Sequence, residues 1–243
     1  MSSAPRHTVT AFDKDLLDLS SGIAEMGGLA EEQLSQALEA LHRRDSALAE
    51  EVIAADDRLD ALEAKFEERA IQTLALRQPM ASDLREVVAA IKIVSTLERI
   101  GDLAKNIAKR TRYLNDSQPL KVAASIVRMG RETQTRVAEV LDAYTARDKA
   151  LAVSVWQRDV EIDEIHNSIF RELITYMMED PKQIGLGSQL LFVTKNLERI
   201  GDHTTFIAEM TYYVVEGEAL SEDRPKGASL GELPGTSWSG GLD

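Results

Sequence analysis

The sequence contains one string of six residues twice, and each copy carries two carboxylates. Residues 97–102 read Leu-Glu-Arg-Ile-Gly-Asp, and residues 197–202 repeat the same letters 100 positions later. Both copies lie in long stretches with apolar residues at helical spacing and without proline, so we expect both inside helices. On a helix, Glu98 and Asp102 share one face, where two like charges repel at a cost of roughly 0.2–0.5 kcal/mol. A bound cation would relieve that repulsion in both copies.

A second acidic pair precedes each copy of the string. Asp56 and Asp60 are four residues apart, in a stretch that aligns with the one around Asp159 and Asp163 at an offset of 103. About twenty residues, at 1.5 Å each on a helix, separate each pair from the proline turn between the two helices. The two pairs of one half should therefore lie at the same height and face each other. Such a set of carboxylates suits hard cations, with iron favoured and Mg²⁺ or Mn²⁺ as alternatives.

The predicted metal ligands are thus one carboxylate pair from each of four helices: Asp56, Asp60, Glu98, Asp102, Asp159, Asp163, Glu198 and Asp202. The alternative is that these acidic faces are solvated and paired with nearby arginines, but two matched pairs in both halves favour a metal site. Arg99 and Arg199 are predicted to orient carboxylates or bridge helices. Gly101 and Gly201 each cost a helix roughly 1 kcal/mol relative to alanine, which a close approach of two helices would explain.

The composition excludes several classes of protein. The net charge of −13 argues against a nucleic-acid partner, because binding to phosphate backbones depends on lysine and arginine. The absence of cysteine excludes disulfides, thiolate metal sites and cysteine nucleophiles. No run of 18 apolar residues and no signal-peptide core is present. These features indicate an acidic, soluble, cytoplasmic protein.

Apolar periodicity, caps and prolines predict an all-α fold of six long helices, arranged as two pseudo-symmetric three-helix bundles from an internal duplication. The first helix should begin near Asp13 after a loose lead-in, the fifth should run unbroken to residue 180, and the sixth should begin near Gly187. The predicted units are a first bundle at residues 10–116, a second at 117–216, and a disordered tail at 217–243 in which Trp238 is a candidate docking residue.

A metalloenzyme is the alternative function. Asp163 and His166 have the carboxylate–histidine spacing of di-iron bundle enzymes, but the aligned position in the first half is Glu63, so the pattern is incomplete. A di-iron oxidase or a metal-assisted phosphohydrolase would use the same carboxylates. The sequence contains no glycine-rich phosphate loop, nucleophile elbow or zinc-hydrolase motif.

With both copies of the repeated string and both aspartate pairs, the chain resembles the PhoU family of bacterial phosphate-signalling regulators over about residues 10–215. The resemblance implies two three-helix bundles that hold multinuclear metal clusters, often iron. Because no catalytic machinery accompanies the duplicated carboxylate pairs, we expect a regulator and not an enzyme. It implies a cytoplasmic negative regulator of phosphate uptake and starvation signalling. Its partners would be a phosphate-sensing histidine kinase and the ATPase subunit of the phosphate transporter, through which alone it would associate with membrane complexes, and homodimers are common.

The resemblance also indicates a difference between the two halves. Asn106, four residues after Asp102, fits a further metal-site residue on the same helix face. Phe206 stands at the matching place in the second half, where the family often has a polar residue. We therefore expect the second site to bind metal less completely than the first.

Overall fold

The protein is described by a computed structural model over residues 6–220, and nearly all of this part of the chain is helical. No strand occurs within these residues, so the predicted all-α fold is confirmed. Seven α-helices and one short 3-10 turn, η1 (Pro181–Gln183), make up this range. The α-helices are α1 (Arg6–Arg43), α2 (Ser46–Arg77), α3 (Ser82–Asn115), α4 (Ala123–Ala146), α5 (Lys149–Gln157), α6 (Asp159–Glu179) and α7 (Ile184–Glu216).

The internal repeat extends to the backbone of the links that follow α1 and α4. Arg44 and Arg147 both adopt left-handed conformations, with φ of 58° and 53°. Asp45 and Asp148 follow them, and each side chain accepts hydrogen bonds from the backbone N–H groups two and three residues later. An aspartate in this position satisfies donors that the first helical turn leaves free, which explains why α2 and α5 begin where the sequence predicts.

The helices form two bundles that pack together. In the first, α1, α2 and α3 contact one another, and in the second, α4 packs on α5, α6 and α7. The two halves meet through α3 against α7 and α1 against α4. A single apolar core runs through both, with Leu34, Ile93 and Leu97 among its fully buried residues in the first half and Met129, Leu197 in the second. The two pseudo-symmetric three-helix bundles are therefore confirmed.

Two glycines allow α1 and α4 to approach closely. A Cβ atom on Gly27 would lie 2.7 Å from Leu141 Cδ2, and one on Gly130 would overlap Leu38 Cδ2. Gly27 and Gly130 are equivalent positions at the 103-residue offset, and so are Leu38 and Leu141. The contact is therefore reciprocal, and α1 and α4 run in opposite directions across it.

Three helix boundaries differ from the prediction. The first helix begins at Arg6, so residues 6–10 of the predicted lead-in are helical. The predicted fifth helix is broken at Arg158, whose backbone leaves helical geometry at ψ 6° while its guanidinium reaches Glu139 on α4 at 2.5 Å. The last helix begins at Ile184, because η1 leads directly into it. From residue 221 onward, the predicted tail and Trp238 lie outside the described residues.

Candidate metal centre

In the first half, a buried aspartate is held by a lysine and a glutamine. Asp56 on α2 is only 1% exposed. Its Oδ1 accepts a hydrogen bond of 3.0 Å from Gln33 Nε2 on α1, and its Oδ2 accepts one from Lys105 Nζ on α3. Lys105 Nζ also donates to Asp102 Oδ1 at 3.0 Å. The cation that relieves the charge of Asp56 and Asp102 in this structure is therefore the ammonium group of Lys105.

The four predicted carboxylates of this half share one electrostatic environment. Burial, together with the negative charges of Asp102, Glu63, Asp60 and Asp56, raises the pKa of Glu98 to about 7. Burial and the charge of Asp56 also raise the pKa of Asp60. Groups that disfavour each other's ionised form must lie near one another. Lys105 bonds to both Asp56 on α2 and Asp102 on α3, so these two carboxylates lie near each other as the equal distances to the turn predict.

Lys105 responds to the same cluster in the opposite direction. Its hydrogen bond to Asp56 raises the pKa of its ammonium group, and the bond to Asp102 adds to that effect. A cation held by two carboxylates is stabilised in its charged form. Lys105 is therefore charged at neutral pH and fixed between α2 and α3.

In the second half, the cation comes from the other side of the repeated string. Lys195 Nζ lies 2.6 Å from Glu198 Oε2, three residues later on α7. Burial raises the pKa of Glu198, and the charges of Asp202 and Asp163 act in the same direction, while Lys195 lowers it. Asp163, Glu198 and Asp202 therefore share one environment as predicted, and Asp159 is buried at the start of α6.

His166 lies beside this second cluster. Burial and the charge of Lys195 lower the pKa of its imidazole, while Asp163 raises it. The ring is buried and donates a hydrogen bond to the backbone carbonyl of Thr194. The histidine is thus a neutral group packed between α6 and α7 at neutral pH.

The two halves also differ in the buried polar residue at one equivalent position of α1 and α4. Arg136 on α4 is the equivalent of Gln33 on α1 at the 103-residue offset. It is 2% exposed and pairs with Glu132 at 2.8 Å, with Glu139 at 3.5 Å and with Glu161 on α6. A buried guanidinium in the second half thus stands where the first half has a neutral amide.

The donor chemistry fits a hard metal ion, but the spacing in this structure does not. Carboxylate oxygens are the ligands that such ions take. Within residues 6–220, however, no three Asp, Glu or His side chains are close enough together to hold one ion. In the first half, Lys105 stands between Asp56 and Asp102. A metal ion in the first half would therefore have to displace Lys105 and draw the carboxylates together.

The remaining predicted residues are placed as follows. Asn106 and Phe206 are both half-buried, one turn after the respective aspartates of α3 and α7. Arg99 and Arg199 are exposed, and the charge of Arg99 acts on Glu63. Their predicted orienting role stays a prediction.

The close helix approach predicted at the repeated glycines is confirmed. A Cβ atom on Gly101 would overlap Leu59 Cδ2 of α2, and one on Gly201 would lie 3.1 Å from Ile162 Cδ1 of α6. Leu59 and Ile162 are themselves equivalent positions at the 103-residue offset. The glycine of the string therefore lets the helix that carries it approach the helix of the aspartate pair in both halves.

Sequence reasoning missed four residues that donate to the carboxylates of the two halves. Lys105 carried a usable signal, since it lies three residues after Asp102, a spacing that brings side chains together on a helix. Lys195 lies three residues before Glu198 and carried the same signal. Gln33 and Arg136 carried none, because Gln33 reaches Asp56 on α2, and Arg136 reaches Glu161 on α6, only through the packing of separate helices.

The fold and the site define a duplicated helical bundle with one acidic cluster in each half, and comparisons with known proteins identify its family. A family model described as the PhoU domain matches residues 23–111 and 126–211. The chain therefore belongs to the PhoU family. The two matched segments correspond to the two bundles.

Individual relatives match along almost their whole length. The chain is 51% identical over 221 residues to the phosphate-specific transport system accessory protein PhoU homolog of Caulobacter vibrioides, covering 90% of this chain and 96% of that protein. It is 48% identical to the protein of the same name from Rhizobium meliloti, covering 90% and 93%. The crystal structure of PhoU from Pseudomonas aeruginosa superposes with a TM-score of 0.83 at 40% identity, over 85% of this chain and 100% of that one.

Proposed function

We propose that the protein is an accessory regulator of the phosphate-specific transport system and not an enzyme. It restrains phosphate uptake and phosphate-starvation signalling by coupling the phosphate transporter to a sensor histidine kinase. The observation that carries the proposal is the 51% identity to a phosphate-transport accessory protein over 96% of that protein's length. Because the match spans both bundles, the relative and this chain share the whole helical architecture that such a regulator would use.

The partners in this proposal are the ATPase subunit of the transporter and the kinase, both reached from the cytoplasm. Among the described helices, none is long and apolar enough to cross a membrane, so contact with a membrane complex would run through those partners. Exposed apolar side chains at the two helical hairpin turns support such contacts. They are Leu76 and Met80 at the turn from α2 to α3, and Met178 and Ile184 at the ends of α6 and α7 that flank η1. The same surfaces would serve a homodimer, which is the proposed solution state.

Deletion of the gene tests the regulatory role. In phosphate-rich medium, the deletion strain should take up phosphate faster and express a phosphate-starvation reporter that is silent in the parent. A plasmid copy of the full chain should restore both, and a copy with Met80→Asp and Met178→Asp should restore them less. Unchanged uptake and reporter expression in the deletion strain would exclude the regulatory proposal.

We further propose that the two acidic clusters bind metal ions, with iron favoured and Mn²⁺ or Mg²⁺ as alternatives. The first site would use Asp56, Asp60, Glu98 and Asp102, with Asn106 as a further ligand, and the second the equivalent four. The support is a set of oxygen donors in which burial, and after it the repulsion of the neighbouring carboxylates, raises the pKa of Glu98 to about 7. Lys105 competes for the first site, because a metal ion and the ammonium group neutralise the same carboxylates.

A Mn²⁺ titration of chelator-treated protein tests the metal site. Lys105→Ala should tighten Mn²⁺ binding by about tenfold or more, since a competing hydrogen-bonded cation is removed. Lys109→Ala, one turn further along α3 and exposed, is the matched control and should leave binding unchanged. Asp56→Asn combined with Asp102→Asn should weaken binding. If all four proteins bind Mn²⁺ equally, the cluster is not the site.

A further inference from the structure

A cavity of about 360 Å³ opens where the ends of α1 and α3 meet the beginnings of α4 and α7. Its volume is within the range of small-molecule sites, which runs from roughly 300 to 1,000 Å³. The walls are mostly aliphatic, and the main contributors are Leu41, Leu114, Leu120, Ile126, Leu186 and Leu190. The cavity is therefore an apolar space large enough for a small organic molecule, at one end of the contact between the two halves.

The opposite end of the same contact is filled by side chains. Tyr144, the equivalent of Leu41 at the 103-residue offset, is 4% exposed there and hydrogen-bonds with Ser20. Arg147 lies 5.3 Å from its ring centroid and pairs with Glu86. On the cavity side, the equivalents of Ser20 and Glu86 are the lining residues Ala123 and Leu186. The cavity thus exists because one end of a repeated arrangement lacks the groups that close the other.

The polar groups at the cavity are all neutral or basic. None of its lining residues is acidic, although the chain contains 41 Asp and Glu residues. Arg128 and Arg131 line it from α4 and form no ion pair with any residue that the structure describes. Their first-half equivalents are Glu25 and Gly28. Two exposed guanidinium groups beside an apolar space, in a chain of net charge −13, attract an anion.

Arg44 makes the mouth of the cavity rigid. Its Nη2 donates to the backbone carbonyls of Leu114 at 3.0 Å and Asn115 at 2.9 Å. Asn115 Nδ2 returns a hydrogen bond to the Arg44 carbonyl at 2.9 Å. The ends of α1 and α3 are thereby fixed to each other, so the cavity is preformed on that side.

We propose that this cavity binds an amphipathic organic anion of the medium-chain fatty-acid type. The acyl chain lies against the aliphatic wall, and the carboxylate pairs with Arg128 and Arg131. An acyl chain is preferred over a ring system because no Phe, Tyr or Trp is among the lining residues to stack on one. The site is separate from the acidic clusters and goes beyond the proposed regulatory function.

Calorimetric titration of the full chain with decanoate tests the proposal. Decanoate should bind at one site per chain, while decanol, which lacks the charge, and acetate, which lacks the chain, should bind at least about tenfold more weakly. Arg128→Glu with Arg131→Glu should weaken decanoate binding by about tenfold or more. Lys65→Glu with Lys92→Glu, an equal change of charge at exposed positions outside the cavity, is the control and should not.

A second variant tests the apolar part without changing charge. Leu41→Tyr with Ala123→Ser installs the tyrosine and hydroxyl that fill the opposite end, and it should abolish decanoate binding. Unaltered binding in this variant, or no saturable binding to the unmodified chain, would overturn the proposal. Binding that appears only after Trp238→Ala would also overturn it, because the C-terminal segment would then be the natural occupant. The proposal would also be overturned if the variant with Arg128→Glu and Arg131→Glu bound decanoate as tightly as the lysine control.

Discussion

The two halves of the molecule keep the same carboxylates but neutralise them from different positions. In the first half, Lys105 follows the repeated string and reaches back to Asp56 and Asp102. In the second half, Lys195 precedes the string and pairs with Glu198, while buried Arg136 stands where the first half has Gln33. The helix of the aspartate pair is continuous in the first half and broken at Arg158 in the second.

This difference shows what the fold requires of such a cluster. A buried carboxylate without a partner costs several kcal/mol, so each half must supply a cation or a donor. The position of that partner is not fixed, because on a helix a lysine three residues before or after a carboxylate lies close enough to pair with it. The glycine contact is kept instead, since in both halves it lets the helix of the string approach the helix of the aspartate pair closely.

The largest difference between the halves should follow from removing the two lysines. Lys105→Ala leaves Asp56 buried with one neutral donor, and we expect a loss of about 2–3 kcal/mol, below the 3–5 kcal/mol of a fully buried pair because Lys105 is 23% exposed. Lys195→Ala should cost less than about 1 kcal/mol, because this lysine is 53% exposed. Urea unfolding of chelator-treated protein measures both. Equal losses would show that Asp56 does not depend on Lys105, and adding Asp56→Asn to Lys105→Ala should recover part of the loss.

Substitution of the repeated glycines by alanine should change stability by different amounts. Gly101→Ala forces a Cβ into Leu59 and to 3.0 Å from Gln33 Oε1, and we expect a net loss of about 1–2 kcal/mol. Gly201→Ala meets only the end of Ile162 at 3.1 Å, so the helical preference for alanine, up to about 1 kcal/mol, should offset the contact. Gly28→Ala is the control, since nothing lies within 4 Å of its Cβ position, and it should stabilise. Thermal unfolding gives all three values, and a loss at Gly201 as large as that at Gly101 would contradict the comparison.

The smallest difference between the two halves should be in how their glutamates make the stability of the protein depend on pH. The pKa of Glu98 is about 7 in the folded protein and near 4.5 when unfolded, so the folded state binds more protons between these values. The contribution of Glu98 to the free energy of unfolding is therefore greatest below pH 4.5, and it is lost as the pH rises through 7. Glu98→Gln should flatten the fall in melting temperature between pH 5 and pH 8 in chelator-treated protein.

Glu198→Gln provides the matched measurement in the second half. Its pKa is also raised by burial, but Lys195 opposes that shift, so the flattening should be weaker. If the two variants change the slope equally, Lys195 does not moderate the second cluster.

Most of the fold was predictable because its determinants are local. The caps Asp45 and Asp148, the proline turns and the apolar periodicity each act within a few residues. The break at Arg158 was not predictable, since no glycine or proline marks it and the contact that accompanies it is with Glu139 on another helix. The convergence of the carboxylate pairs followed from equal distances to a turn. Their spacing at the site, which is too wide for one ion in this structure, depends on where Lys105 lies and could not be predicted.

The reciprocal contact of α1 and α4 has a consequence for how the chain is assembled. Gly27 meets Leu141 as Gly130 meets Leu38, which is the rule of an isologous interface between two identical subunits. The chain is thus built as a dimer within one polypeptide, with residues 116–122 as the tether. Because a tether sets the effective concentration of the two copies, their association does not vary with the amount of protein. The two copies need not be identical, and the two ends of their contact do differ: Tyr144 fills one end, and the cavity lies at the other.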